Sequence, residues 1–119
     1  MMATDTATES DADAPTDPVA VDSAADLDEL VETHDVVLTD FYADWCGPCK
    51  MLEPVVERLA EETAATVAKV DVDANQRLAS EYGVRGVPTL VLFADGEQVE
   101  EIVGVQPEEQ LRSLVDSYT

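Results

Sequence analysis

Hydrophobic and polar positions alternate along this chain in two periods, and the switches between them mark the elements. A short apolar run at Val19–Val21 reads as a strand. Asp22 or Ser23 then caps a helix whose buried face carries Leu27, Leu30 and Val31 at helical spacing. His34 and Asp35 mark a turn. Val36 to Tyr42 is a β-rich run of the kind found in a buried central strand. A long helix is predicted from Pro48 to Thr63. Its apolar stripe is Met51, Leu52, Val55, Val56 and Leu59, and its wet face Glu53, Glu57, Arg58, Glu61 and Glu62. Pro48 suits the first turn, where a missing N–H costs nothing. Pro54 lies inside the helix and should kink it. A second buried strand follows at Thr66–Val72, then a short helix around Gln76–Tyr82 and a strand at Thr89–Phe93. Asp95-Gly96 is a tight hairpin turn leading to a partner strand at Glu97–Val103. Pro107 opens a last helix, with Leu111, Leu114, Val115 and Tyr118 predicted on its core face. The order βαβαβαββα implies an α/β fold: a central mixed five-stranded sheet flanked by four helices. Parallel strands come first, and an antiparallel hairpin ends the sheet.

Residues 1–18 break this pattern. They are rich in Ala, Thr and Asp, interrupted by Pro15 and Pro18, and without apolar periodicity, so a disordered acidic tail is expected ahead of one domain at 19–119. The tail has neither the basic start nor the apolar stretch of a signal peptide, and the expectation is a cytoplasmic protein. No apolar run approaches the roughly 20 residues that span a bilayer. The 119 residues are enough for one domain with its own core.

Charge adds a second constraint. Twenty-seven acidic residues against six basic ones give a net charge of −21. Such a surface repels nucleic acid and anionic membranes, so neither is an expected partner. Self-repulsion on this scale loosens a compact state in dilute salt. Molar salt shortens the Debye length to about 3 Å and screens it. Scarce Lys beside abundant Asp and Glu is similar to the composition of proteins from salt-accumulating halophiles.

The candidate chemistry sits in Trp45-Cys46-Gly47-Pro48-Cys49-Lys50, between a strand and a helix. Two cysteines separated by two residues at a helix start can close a small disulfide. The first lies near the exposed N–H groups of the helix N-terminus, whose partial positive charge favours thiolate, as is well known for Cys-X-X-Cys motifs. Thiolate is the attacking species in disulfide exchange. The position predicts Cys46 as the exposed nucleophile and Cys49 as the buried thiol one turn inward. Three plainer readings compete. Half of a zinc site would want four ligands, and the chain offers two Cys and one His. A structural disulfide fits a reducing compartment poorly. Ordinary core cysteines would not be flanked by Trp, Gly and Pro. His34, in an acidic turn far along the chain from the cysteines, is a poor catalytic candidate.

This hexapeptide is the active-site signature of the thioredoxin family, and the resemblance extends from about Val19 to Tyr118. The segments around Asp40–Pro54, Val67–Asp73 and Tyr82–Glu97 are similar to the family pattern in the right order. The resemblance implies the thioredoxin fold and a protein-disulfide reductase, a thiol-disulfide oxidoreductase carrying electrons through the Cys46–Cys49 dithiol without a cofactor. It implies that Asp40 manages the proton of Cys49, with Lys69 supporting it. Val87-Pro88 matches the cis-proline site. Trp45, Gly47, Pro48, Gly86, Val87, Pro88 and Gly104 then form the strip that meets substrate. Implied partners are a thioredoxin reductase and clients of the peroxiredoxin, methionine sulfoxide reductase or ribonucleotide reductase type. An oxidant or isomerase, or a binding module with idle cysteines, are the competing functions. Gly47-Pro48 between the cysteines argues against the first, and Asp40 with Pro88 beside an intact pair argues against the second. Tyr42 stands where many members have Trp, a change expected to alter mainly packing and fluorescence.

Overall fold

A computed structural model describes residues 14–119, so most of the expected acidic tail lies outside the described residues. The strands are β1 (Val19–Ala20), β2 (Val36–Tyr42), β3 (Thr66–Asp71), β4 (Thr89–Ala94) and β5 (Glu97–Val103). The helices are α1 (Ala24–Thr33), α2 (Gly47–Glu62), α3 (Gln76–Glu81) and α4 (Glu108–Asp116). The five strands form one sheet in the order β1-β3-β2-β4-β5. β2 and β1 run parallel to β3, β4 antiparallel to β2, and β5 antiparallel to β4. The mixed sheet with four helices expected from the hydrophobic pattern is the one observed.

Local chemistry accounts for the boundaries. Ser23, rather than Asp22, caps α1: its hydroxyl oxygen accepts from the Asp26 N–H at 3.1 Å. Asp95 and Gly96 both take positive φ, 53° and 85°, as a primed two-residue hairpin turn requires. β5 is an edge strand carrying Glu97, Glu100 and Glu101, charges that discourage pairing with another chain. α2 runs unbroken through Pro54, which has no N–H to return to the Lys50 carbonyl.

Because β2 alternates, its side chains supply two cores. Val36 and Leu38 join Leu90 and Leu92 of β4 against Leu52, Val56 and Leu59 of α2 and Leu111 and Val115 of α4. Val37 and Phe41 face the other way, with Val91 and Phe93, against Leu27 of α1 and Leu78 of α3. Asp40 keeps the parity of Val36 and Leu38, so it belongs to the face that α2 covers.

Two expected core residues are not core. Met51 is 69% exposed. At 100° per residue the buried stripe of Cys49, Leu52, Val56, Leu59 and Ala60 centres roughly 130° from Met51, which points to solvent, while Val55 falls on the margin. Tyr118 follows the end of α4 at Asp116, so helical spacing no longer aims it inward. It is exposed, and its hydroxyl donates to a Glu100 carboxylate oxygen at 2.7 Å. α2 and α4 are joined at the surface by Arg58, which donates to Glu108, and by Arg112, which bridges Glu62 and Glu108.

Candidate active site

β2 leads into the site through buried Ala43, whose carbonyl accepts from the Cys46 N–H at 3.2 Å and turns the chain. Cys46 is the N-cap of α2. Its Sγ accepts from the Cys49 N–H at 3.1 Å, taking the place that a Ser or Asp oxygen holds at other helix starts. This is direct evidence that the helix N-terminus points at the first sulfur. Cys46 and Cys49 form a disulfide, with Cα atoms 5.2 Å apart. Pro48 occupies the first turn of α2.

The remaining parts arrive from three other places. The Val87–Pro88 bond is cis, as the family pattern implied, and the Val87 carbonyl oxygen lies 3.7 Å from Cys46 Sγ. The Pro88 carbonyl accepts from the Gly104 N–H at 2.9 Å, which ties the end of β5 to the cis-proline loop. Gly104 has φ 89°, a conformation that favours glycine. The Thr89 hydroxyl donates to the Gly86 carbonyl at 2.7 Å and fixes the other side of the loop. Trp45 is 70% exposed, and its indole N–H donates to Asp73 Oδ2 at 2.8 Å. Trp45, Gly47 and Pro48 flank the cysteines in the chain and are exposed, Val87 packs against the pair half-buried, and Gly86 is exposed in the loop before it.

Cys46 departs from expectation. It is 4% exposed and Cys49 5%, so in the disulfide form neither is an open thiol. The pair packs with Ala43 in a small cluster against which Tyr42, Val72 and Val87 lie.

On the face of β2 that α2 covers, Asp40 is 1% exposed and its Oδ1 has no hydrogen-bond partner. Burial pushes its carboxyl up from 3.8 to about 6. The Lys69 ammonium opposes the rise and the Glu53 carboxylate adds to it. Lys69 is directly across from Asp40 in the parallel β2–β3 register. Its Nζ nevertheless donates to Glu53 Oε2 at 3.1 Å, and it lies 4.4 Å from the centre of the Tyr42 ring. A cavity of about 200 Å³ is lined by Cys49, Lys50, Glu53, Lys69 and residues 42–44. Among the described residues no group of three or more His, Cys, Asp or Glu side chains is placed to hold a metal ion.

Asp73 and Glu53 were not among the residues singled out by sequence. Glu53 sits four residues after Cys49, one helical turn on, and that spacing was the available signal. Asp73 lies 28 residues from Trp45 and carried none beyond its place in the Val67–Asp73 segment.

The family model for thioredoxin matches residues 18–117. The chain belongs to the thioredoxin family. It is 47% identical over 103 residues to the thioredoxin of Bacillus subtilis strain 168, covering 84% of this chain and 99% of that one. A point-mutant thioredoxin from Halobacterium salinarum NRC-1 superposes with a TM-score of 0.87 at 67% identity, covering 89% and 94% of the two chains. A chain from a solved structure concerned with the thiol resolving mechanism of yeast mitochondrial 1-Cys peroxiredoxin via glutathione/thioredoxin systems matches with a TM-score of 0.77 at 28% identity, covering 87% and 98%. With the disulfide at the α2 N-terminus, this membership makes the chain a dithiol protein-disulfide reductase, a thiol-disulfide oxidoreductase working through Cys46 and Cys49.

Proposed function

We propose the following division of labour within that activity. In the reduced protein Cys46, as thiolate at the α2 N-terminus, attacks one sulfur of a client disulfide. A mixed disulfide forms, and the departing client sulfur takes a proton. Cys49 gives its proton to Asp40 and attacks Cys46 Sγ. The Cys46–client bond breaks, the second client thiol leaves, and the Cys46–Cys49 disulfide forms. The client gains two electrons from the dithiol; its first sulfur takes from solvent the proton that Cys46 shed in becoming a thiolate, and its second takes the Cys49 proton, which Asp40 releases. Because both cysteines sit on one turn, the second attack is effectively unimolecular. Lys69 faces Asp40 from the neighbouring strand and supports it at a distance, its ammonium being donated to Glu53. Trp45, Gly47, Pro48, Gly86, Val87, Pro88 and Gly104 hold the client backbone beside Cys46.

The observation that carries this reading is the Cys49 N–H donated to Cys46 Sγ. It supports Cys46 as the sulfur that the helix end would stabilise as an anion, and so as the nucleophile of this reading. A thioredoxin reductase is the fitting electron source. Clients of the peroxiredoxin type accord with the yeast neighbour, and methionine sulfoxide reductase and ribonucleotide reductase types share the chemistry. Among the described residues no helix is long and apolar enough to cross a membrane, and a cytoplasmic site of action fits the dithiol chemistry. The net charge of −21 makes nucleic acid and anionic membrane unsuitable partners. Insulin reduction driven by dithiothreitol in molar KCl tests the assignment. Wild type should accelerate insulin precipitation, and Cys46→Ser should abolish the acceleration. Wild-type rates from Cys46→Ser would overturn it.

A further inference from the structure

The ion pair over the cavity beneath Cys49 joins the wrong partners for a simple supporting lysine. Lys69 faces Asp40 across the β2–β3 ladder, yet its ammonium is committed to Glu53 on α2. Asp40 Oδ1 is left without a partner although a cation lies on the neighbouring strand. The two ends of the pair differ in exposure, Lys69 at 19% and Glu53 at 53%, so Glu53 holds the ammonium toward the mouth of the cavity. Tyr42 contributes the ring on which that ammonium rests. Cys49, Glu53 and Lys69 line this one cavity, so the pair stands directly beside the resolving cysteine.

We propose that Glu53 is a positioning residue for the resolving step: it draws Lys69 away from Asp40 and so keeps the buried carboxyl without a counter-ion beneath Cys49. This rests on Asp40 as the acceptor of the Cys49 proton. A base of higher pKa takes up a thiol proton more readily. An ammonium paired to Asp40 would hold the carboxylate ionised and weaken it as a base, whereas an ammonium engaged with Glu53 opposes the rise only in part. Lys69 from β3 and Glu53 from α2 act on the Asp40 charge, Tyr42 of its own strand feels it, and the cavity and its margin add Cys49 and Lys50 from α2, Asp71 from β3 and Asp44 from the loop beyond β2. β4 presents the apolar Leu90 opposite Asp40. Of the groups on α2, Glu53 is the one in contact with the lysine.

The test is a 13C titration of the Asp40 carboxyl in the oxidised full chain, where neither cysteine titrates, run in parallel with the pH profile of insulin reduction. Glu53→Gln should lower the Asp40 midpoint by about 0.5–1 pH unit, and Glu53→Asp should restore it to within about 0.3 unit of wild type. The acid limb of the reduction profile should move down with the Glu53→Gln midpoint. In a Lys69→Met background Glu53→Gln should lose most of its effect. An unmoved or raised midpoint in Glu53→Gln, with a wild-type limb that disappears in Asp40→Asn, overturns the role of Glu53 and leaves Asp40 as acceptor. A limb that persists unchanged in Asp40→Asn removes Asp40 from the mechanism, and the role of Glu53 falls with it.

Discussion

Replacing Asp40 with Ala should stabilise the oxidised protein at neutral pH while slowing disulfide reduction. The carboxyl titrates at about 6 in the fold against 3.8 as its ordinary value, chiefly because burial penalises the charge. At about 1.4 kcal/mol per pH unit, ionising it costs the native state about 3 kcal/mol. Below the unfolded value the group is neutral in both states and there is no penalty. As pH climbs from about 4 through about 6, the unfolded chain releases the proton more readily than the native one, and stability drains away. Above that the loss is complete. Asp40→Ala removes this dependence. The lost carboxyl also leaves a small void costing about 1–2 kcal/mol, but that cost does not vary with pH. The stability difference between variant and wild type should therefore shift by about 2–3 kcal/mol in favour of the variant between pH 4 and pH 8. Its net sign at pH 8 should favour Asp40→Ala. Urea unfolding of both oxidised proteins at fixed molar KCl measures it. The reduction rate should fall by about 10²–10⁴-fold in the resolving step, the usual worth of a general base. A stability difference that is flat with pH, or an unchanged rate, would refute the argument.

Two further outcomes follow from the surface. The Trp45 indole is pinned by Asp73 beside the disulfide, so Trp45→Ala should raise KM for a protein client about tenfold and Asp73→Asn by a smaller factor of about 2–5, in steady-state assays with a disulfide protein. The net charge of −21 should make the melting midpoint climb as KCl rises from about 0.1 M to molar levels, where the screening length falls from about 10 to about 3 Å; a flat or falling midpoint would contradict this.

What the sequence disclosed depended on how local the determining forces were. β2 and α2 were legible because their periodicity is strong and their ends carry their own signals: Asp35 before β2, and Pro48 in the first turn of α2. The Asp95-Gly96 turn was legible because two consecutive positive φ values need such residues. Met51 and Tyr118 were misplaced for a shared reason. Apolarity at a plausible spacing does not fix where the buried stripe is centred, and Tyr118 lies past the point where the helix stops. The burial of Cys46 goes with packing against residues remote in sequence, Val72 and Val87 among them, the latter 41 positions away. Glu53 was read as part of a wet helix face, and by exposure it is. Its significance comes from Lys69, 16 residues on and across a packing boundary, and no pattern within α2 announces that contact.

The few cations of this chain show how the acidic surface and the active site coexist. Six basic residues serve 119 positions, and three of them are engaged in specific ion pairs. Arg58 and Arg112 hold α2 to α4 through Glu62 and Glu108. Lys69 stands beneath Cys49 with Glu53. The outer charges are bathed in solvent, so salt screens their repulsion efficiently. Asp40 lies where ions do not reach, and its cost is set by desolvation rather than by the distant coat. Salt can then govern the stability of the whole chain without cancelling the perturbation that suits Asp40 to accept a proton. The Lys69–Glu53 pair straddles the two regimes, one end covered and the other open to solvent. Its grip should weaken in rising salt more than the burial of Asp40 does. The midpoint of Asp40 should consequently drift down as KCl rises, and the drift should disappear in Glu53→Gln. A midpoint independent of salt in wild type would mean that Glu53 and Lys69 act on Asp40 as a fixed dipole rather than as a screened pair.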